Sequence, residues 1–177
     1  MSGHTHGVTL ITGGARSGKS AFALETASAF GPPRVFIATA QPLDEEMRRR
    51  IVRHQADRGN RFATVEAPCD LAGALARIPE GTRVVVIDCL TVWLGNLMHH
   101  GTGAGTQSCP EIEALYAALQ APPCRIILVT NEVGMGLVPG EAGSREYRDL
   151  LGEVNRRMAE LADEVVLLVS GLPLRLK

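Results

Sequence analysis

Residues Gly13-Gly14-Ala15-Arg16-Ser17-Gly18-Lys19-Ser20 fit the pattern G-x-x-x-x-G-K-[ST]. No other stretch of the chain constrains its fold so tightly. Glycines in such a loop let backbone N–H groups turn inward around a polyphosphate. Lys19 then reaches the outer phosphates, and the Ser20 hydroxyl is placed to hold Mg²⁺. The flanks agree with this reading. Val8 to Thr12 is a short β-branched run and Ala21 to Ala29 is alanine-rich, giving strand, loop and helix N-terminus in the order that sets a helix dipole on an anion. The pattern predicts a bound nucleotide and leaves open what is done with it.

The rest of the chain alternates strand-like and helix-like segments. Strands are expected at Val8 to Thr12, Arg34 to Ala38, Phe62 to Glu66, Arg83 to Asp88, Arg125 to Thr130 and Glu164 to Val169. Several are continuous in Val, Ile and Leu, as strands covered on both faces are. Between Ser144 and Ala162, the residues Tyr147, Leu150, Leu151, Val154, Met158 and Leu161 form one apolar helical stripe. Asp44 to Arg58 reads as a second, heavily charged helix with Met47, Ile51 and His54 on one side. The expectation is an α/β fold of the RecA-like P-loop NTPase kind, a mostly parallel sheet flanked by helices. The 177 residues suit one domain behind a flexible tail at residues 1–7. Gly101 to Cys109 and Gly134 to Gly143 read as loops.

Composition narrows the partners. Charged residues make up 21% and the formal net charge is −1, which argues against a nucleic-acid-binding surface. No apolar stretch approaches the roughly 20 residues that span a bilayer. The first seven residues lack the basic and apolar parts of a signal peptide. His4 and His6 there suit either a weak metal contact or a polar tail. The four cysteines show no C-x-x-C spacing, and Cys89 and Cys124 flank apolar runs. Reduced core thiols in a cytoplasmic protein are expected.

In a parallel sheet, ligands gather at the carboxyl ends of the strands. Asp88 follows Val84 to Ile87 and suits either Mg²⁺ binding or the N-cap of a helix beginning at Leu90. Thr130-Asn131-Glu132 and Thr39 arrive at the same rim. Glu66 suits either a ribose or base contact or a solvated strand end. His54, near Arg50, Arg53 and Arg58, is either a structural helix residue or a nucleophile toward phosphorus. In the second case, neighbouring arginines neutralise the phosphate and disfavour the imidazolium.

Several blocks resemble the bifunctional adenosylcobinamide kinase/adenosylcobinamide-phosphate guanylyltransferase family of cobalamin biosynthesis. They are Thr12 to Ser20, Ile37-Ala38-Thr39-Ala40-Gln41, Asp44-Glu45-Glu46-Met47 with Arg50-Ile51-x-x-His54, Val129 to Pro139, Asn155-Arg156-Arg157 and Val169-Ser170-Gly171. The resemblance runs nearly the whole chain in order. It implies phosphorylation of the adenosylcobinamide hydroxyl by ATP or GTP, then transfer of GMP from GTP to adenosylcobinamide phosphate. The second step would pass through a GMP–histidine, and His54 matches that histidine; Arg53 stands where some relatives carry a second one. GTP contacts carried over by motif are Gly13, Gly14, Ala15, Arg16, Ser17, Gly18, Lys19 and Ser20; Ala38, Thr39 and Ala40; Gln55, Ala56, Asp57 and Arg58; Glu66 and Asp88. Lys19 joins His54 as catalytic, and Ser20 and Asp88 as Mg²⁺ ligands. The resemblance further implies a homo-oligomer, a trimer being the form expected.

Two features depart from better-known nucleotide binders: no N-K-x-D motif selects guanine, and Gly101 to Cys109 matches no family feature. Rival readings are a plain small-molecule kinase, a RecA-like ATPase or GTPase switch, and a chain retaining guanylyl transfer alone.

Overall fold

A computed structural model describes residues 7–100 and 109–177. His4, His6 and the Gly101 to Cys109 segment, Cys109 apart, therefore lie outside the described residues. The polypeptide forms a seven-stranded sheet in the order β3-β2-β4-β5-β1-β6-β7. Its strands are β1 Gly7–Gly13, β2 Arg34–Ala38, β3 Ala63–Glu66, β4 Val84–Asp88, β5 Arg125–Val129, β6 Glu164–Val169 and β7 Leu172–Arg175. The first six run parallel; β7 alone is antiparallel, to β6. Gly7 pairs with Arg125 as the first residue of β1, so it belongs to the strand rather than to the expected tail.

Helices cover both faces: α1 Lys19–Ser28, α2 Glu45–Arg58, α3 Leu71–Ala76, α4 Leu90–His99, α5 Pro110–Gln120 and α6 Ala142–Leu161. One apolar core packs α3 to α6 against the sheet around the fully buried Trp93, with Leu151, Val154 and Met158 of the α6 stripe inside it. On the other face Ala23, Leu24 and Ala27 of α1 meet Phe36, Phe62 and Val86. The central strands β4 and β5 are buried on both sides, which is why they read as unbroken Val, Ile and Leu.

The strand unforeseen in the sequence is β7. Ser170 and Gly171 both adopt positive φ (52° and 84°) and join Val169 to Leu172 in a two-residue hairpin. That is the twist-matched turn a right-handed strand pair favours. The Gly171 amide donates to the Ser17 carbonyl at 3.1 Å, so the turn braces the phosphate loop. Gly13 is held closely as well: at φ 146°, a Cβ there would run into the Leu168 carbonyl oxygen. The loop is thus seated against β6 and its hairpin by backbone contacts that exclude a side chain at position 13.

All four cysteines are free thiols, Cys89 and Cys124 buried as the apolar flanks imply. Among the described residues, no helix is long and apolar enough to cross a membrane.

Candidate active site

Residues 13 to 20 fold as the sequence predicts, between β1 and α1, but the helix starts at Lys19 rather than Ala21. Lys19 and Ser20 therefore leave from its first turn, where amide groups have no helical partner and the dipole is positive. Lys19 is buried and its ammonium donates to the Gly14 carbonyl and, at 3.3 Å, to the Ser17 hydroxyl. Burial lowers its pKa, opposed by the nearby Cys89 and Asp88. Arg16 takes φ 57° at the crest of the loop and is exposed.

A groove of about 1130 Å³ runs over this loop. Ala15 to Ser20 form one wall; Arg49, Arg50, Arg53, His54 and Asp57 of α2 form the other, with Asp88 and Asn131 at the base. Helix α2 is anchored at its start by the Asp44 carboxylate, which accepts from the Met47 amide at 2.7 Å, and Glu45 and Glu46 occupy its first turn.

Behind α2 lies a second, smaller cavity of about 250 Å³. Phe36, Met47, Ile51 and Val92 supply its apolar lining; Ala38, Ala40, Gln55, Arg58, Glu66 and Asp88 also face it. Arg58 is buried with its guanidinium 4.0 Å over the Phe36 ring, and its Nε has no hydrogen-bond partner among the described residues. Burial also lowers the Arg58 pKa. A buried donor without a partner beside a cavity is costly unless a ligand satisfies it.

Arg50, His54, Asp88 and Cys89 line both spaces. His54 therefore stands at the junction of groove and cavity, half-buried, and its pKa is lowered. Burial is the largest cause; Arg50 and Arg53 lower it further, while Asp88 and Asp57 pull upward. The sequence expectation credited the arginines, which act in the right direction but rank behind desolvation.

The remaining positions divide by location. Asp88 closes β4, and the residue that caps α4 is Cys89, so Asp88 is not the helix cap. Its carboxylate has no hydrogen bond or ion pair among the described residues and is free to meet a ligand. Thr39 is fully buried and faces neither space. Its hydroxyl donates to the Cys89 carbonyl at 3.0 Å and accepts from the Cys89 amide at 2.8 Å, tying the ends of β2 and β4 together. Ala56 also lines neither space, and Asp57 belongs to the groove while Gln55 and Arg58 belong to the cavity.

A polar network absent from the expectations supports the floor of the groove. The buried Thr130 hydroxyl donates to Asn155 Oδ1 at 2.8 Å, Asn155 Nδ2 donates to the Asn131 carbonyl at 3.0 Å, and the Asn131 amide donates to Thr91 Oγ1 at 2.8 Å. Tyr147 donates to the Thr91 carbonyl at 2.8 Å. Helices α4 and α6 thereby fix the segment after β5. The signal in sequence was the polar Thr130-Asn131 directly after a fully apolar strand.

Comparisons with known proteins converge on one family. A family model described as cobinamide kinase / cobinamide phosphate guanyltransferase matches residues 9–176. The chain is 44% identical over 168 residues to the bifunctional adenosylcobalamin biosynthesis protein CobP of Pseudomonas aeruginosa, covering 95% of this chain and 96% of that protein. It is 38% identical over 182 residues to the bifunctional adenosylcobalamin biosynthesis protein CobU of Salmonella typhimurium, covering 95% and 98%. Among solved structures, a prototypical ATPase from the type III secretion system of pathogenic bacteria superposes with a TM-score of 0.58. That likeness has 13% identity over 92% of this chain, which spans about half (51%) of the ATPase, and it shows the fold alone.

Proposed function

The chain belongs to the cobinamide kinase / cobinamide phosphate guanyltransferase family, and from that membership we propose how one groove serves both reactions and one histidine the second. In the first, the phosphate loop holds ATP or GTP and the terminal phosphoryl group passes to the adenosylcobinamide hydroxyl. In the second, GTP gives its GMP moiety to adenosylcobinamide phosphate, yielding adenosylcobinamide-GDP and pyrophosphate. The observation that carries this reading is the position of His54 between the phosphate-loop groove and a second cavity.

GTP spans that junction. Its guanine occupies the smaller cavity between apolar side chains, where the Glu66 carboxylate accepts from the adjacent N1–H and 2-amino donors of guanine; adenine offers no such pair. The buried Nε of Arg58 meets an acceptor of the base. The β- and γ-phosphates lie on the loop amides and Lys19, which leaves the α-phosphorus beside His54. Neutral imidazole attacks that phosphorus, the bond to the bridging oxygen breaks, and pyrophosphate departs into the groove. Burial and the two arginines keep His54 neutral for this step. Loop amides, Lys19 and Arg50 stabilise the charge that spreads over the transferring group.

Mg²⁺, which accompanies nucleoside triphosphates, suits the hard oxygen donors present. Ser20 and the unpartnered Asp88 carboxylate both face the groove, and an ion that keeps most of its waters needs only one or two protein ligands. Bound there, it would neutralise phosphate charge. The assembly is proposed as a homo-oligomer, a trimer, which light scattering measures directly.

Incubation with GTP labelled at the α-phosphate, and separately at the γ-phosphate, tests the mechanism. An acid-labile adduct carrying α-label, absent from His54→Ala, is expected. Absence of any covalent α-label in the unaltered protein with Mg²⁺ present would sink the two-step transfer.

A further inference from the structure

Two of the arginines that line the groove are given no contact with GTP in the reading above. Arg16 on one wall and Arg53 on the other both face the groove. Neither guanidinium makes a hydrogen bond or an ion pair among the described residues, whereas Arg48 and Arg49 on the same helix are both within reach of Glu45. Glu25, Glu46, Asp57 and Asp88 also line the groove, but among the described residues none of them forms an ion pair with either guanidinium, so both cations are available to an anion there.

The stereochemistry of transfer says which anion. In an in-line displacement the entering and leaving atoms occupy opposite apices of the phosphorus. While His54 attacks, pyrophosphate holds the apex facing the groove. Once the P–N bond exists, the next nucleophile must approach opposite that bond, through the same apex. The other side of His54 opens on the cavity that the base fills in the reading above, which leaves the groove as the approach for the next nucleophile. An incoming phosphate dianion must there approach a phosphorus already bearing negative charge, and cations at the approach are what make this feasible.

We propose that Arg53, with Arg16 facing it, binds the phosphate of the acceptor and aims one of its oxygens at the GMP-bearing phosphorus of His54. This rests on the two-step reading above. An acceptor phosphate oxygen forms the new O–P bond, and the P–N bond breaks. Imidazole leaves neutral, because its other nitrogen keeps its proton throughout, so no external acid is needed. The product holds the two phosphates in one diphosphate link.

The test separates the half-reactions. Protein labelled to completion with α-labelled GTP is freed of nucleotide and chased with adenosylcobinamide phosphate, both steps at about pH 8, above the histidine range, so that the effect of Arg53 on His54 protonation enters neither. Arg53→Met is expected to reach the same extent of labelling. Its half-saturating acceptor concentration should rise about ten- to hundredfold, the loss of a charge-assisted contact, with a much smaller fall in the saturating chase rate. Arg53→Lys should recover part of the loss, and Arg48→Met, same helix and same charge but outside the groove, should chase like the unaltered protein. An unchanged half-saturating concentration in Arg53→Met overturns the proposal and leaves the histidine mechanism standing. So does failure of Arg53→Met to label when the unaltered protein labels, since Arg53 would then act on GTP. No label in the unaltered protein overturns the histidine mechanism and this proposal with it.

Discussion

A protonated imidazole has no lone pair to offer phosphorus, so the charge state of His54 sets the first half of guanylyl transfer. Its pKa is lowered, chiefly by burial. Below that pKa the ring is protonated and inactive; above it the ring is neutral and the rate is flat. Self-guanylylation should therefore show an acid limb with its midpoint below the ordinary histidine value of about 6.5. Four charged groups face the ring, Arg50, Arg53 and Asp57 from α2 and Asp88 from β4. Arg50→Met removes a cation, favours the imidazolium, and should move the limb to higher pH; a limb that stays in place or moves to lower pH refutes the assignment. Glu66 offers a separate residue-scale test, since its proposed partner is the base. Glu66→Gln replaces half of an acceptor pair with a donor and should raise KM for GTP in guanylyl transfer by about ten- to hundredfold. An ATP-driven kinase step should not respond. From its own residues the sequence left Glu66 open between a ribose or base contact and a solvated strand end, and only the resemblance made it a GTP contact. Its use depends on a cavity that exists only once α2 folds back over β2 and β3.

At the scale of elements, most of what could be read locally was read, the β6–β7 hairpin excepted, and what depended on two distant segments was not. The loop, α2 and the α6 stripe each follow from a spacing within one window. Hairpin β6–β7 had a local signal too, Ser170-Gly171 between Val169 and Leu172, but its purpose lies in a backbone bond to Ser17, over 150 residues away in the chain. Likewise Thr39 looked like a rim residue and is a buried tie between β2 and β4. The hairpin yields its own prediction. Gly171 sits at φ 84°, where a β-branched side chain is strained by on the order of 1–2 kcal/mol. Gly171→Val should lower Tm by about 3–6 °C and raise nucleotide KM in both reactions, because the turn that braces the loop shifts. An effect confined to stability, with both KM values unchanged, would show that the brace does not matter to the site.

For the whole molecule, the parallel sheet brings three carboxyl ends to one rim. β1 delivers the phosphate loop and β4 delivers Asp88, with β5 between them delivering Asn131. Alternation in the sequence announced such a sheet without giving its strand order. The order decides that α2, emerging beside β2, lies across the rim and sets His54 over the same groove as Lys19. Shared geometry of this kind makes an asymmetric demand on mutants. Lys19 serves any nucleotide whose phosphates rest on the loop, so Lys19→Ala should cost both the kinase and the guanylyltransferase about 10²–10³-fold, the loss of a preorganised charge on the transferring phosphates. His54 touches only the α-phosphorus, so His54→Ala should abolish guanylyl transfer and leave phosphorylation of cobinamide within a few-fold. Parallel assays of product formation, with adenosylcobinamide for one reaction and its phosphate for the other, measure both. A His54→Ala protein dead in the kinase assay yet normally folded would mean that the histidine serves both phosphorus atoms, and the division of labour across the rim would have to be redrawn.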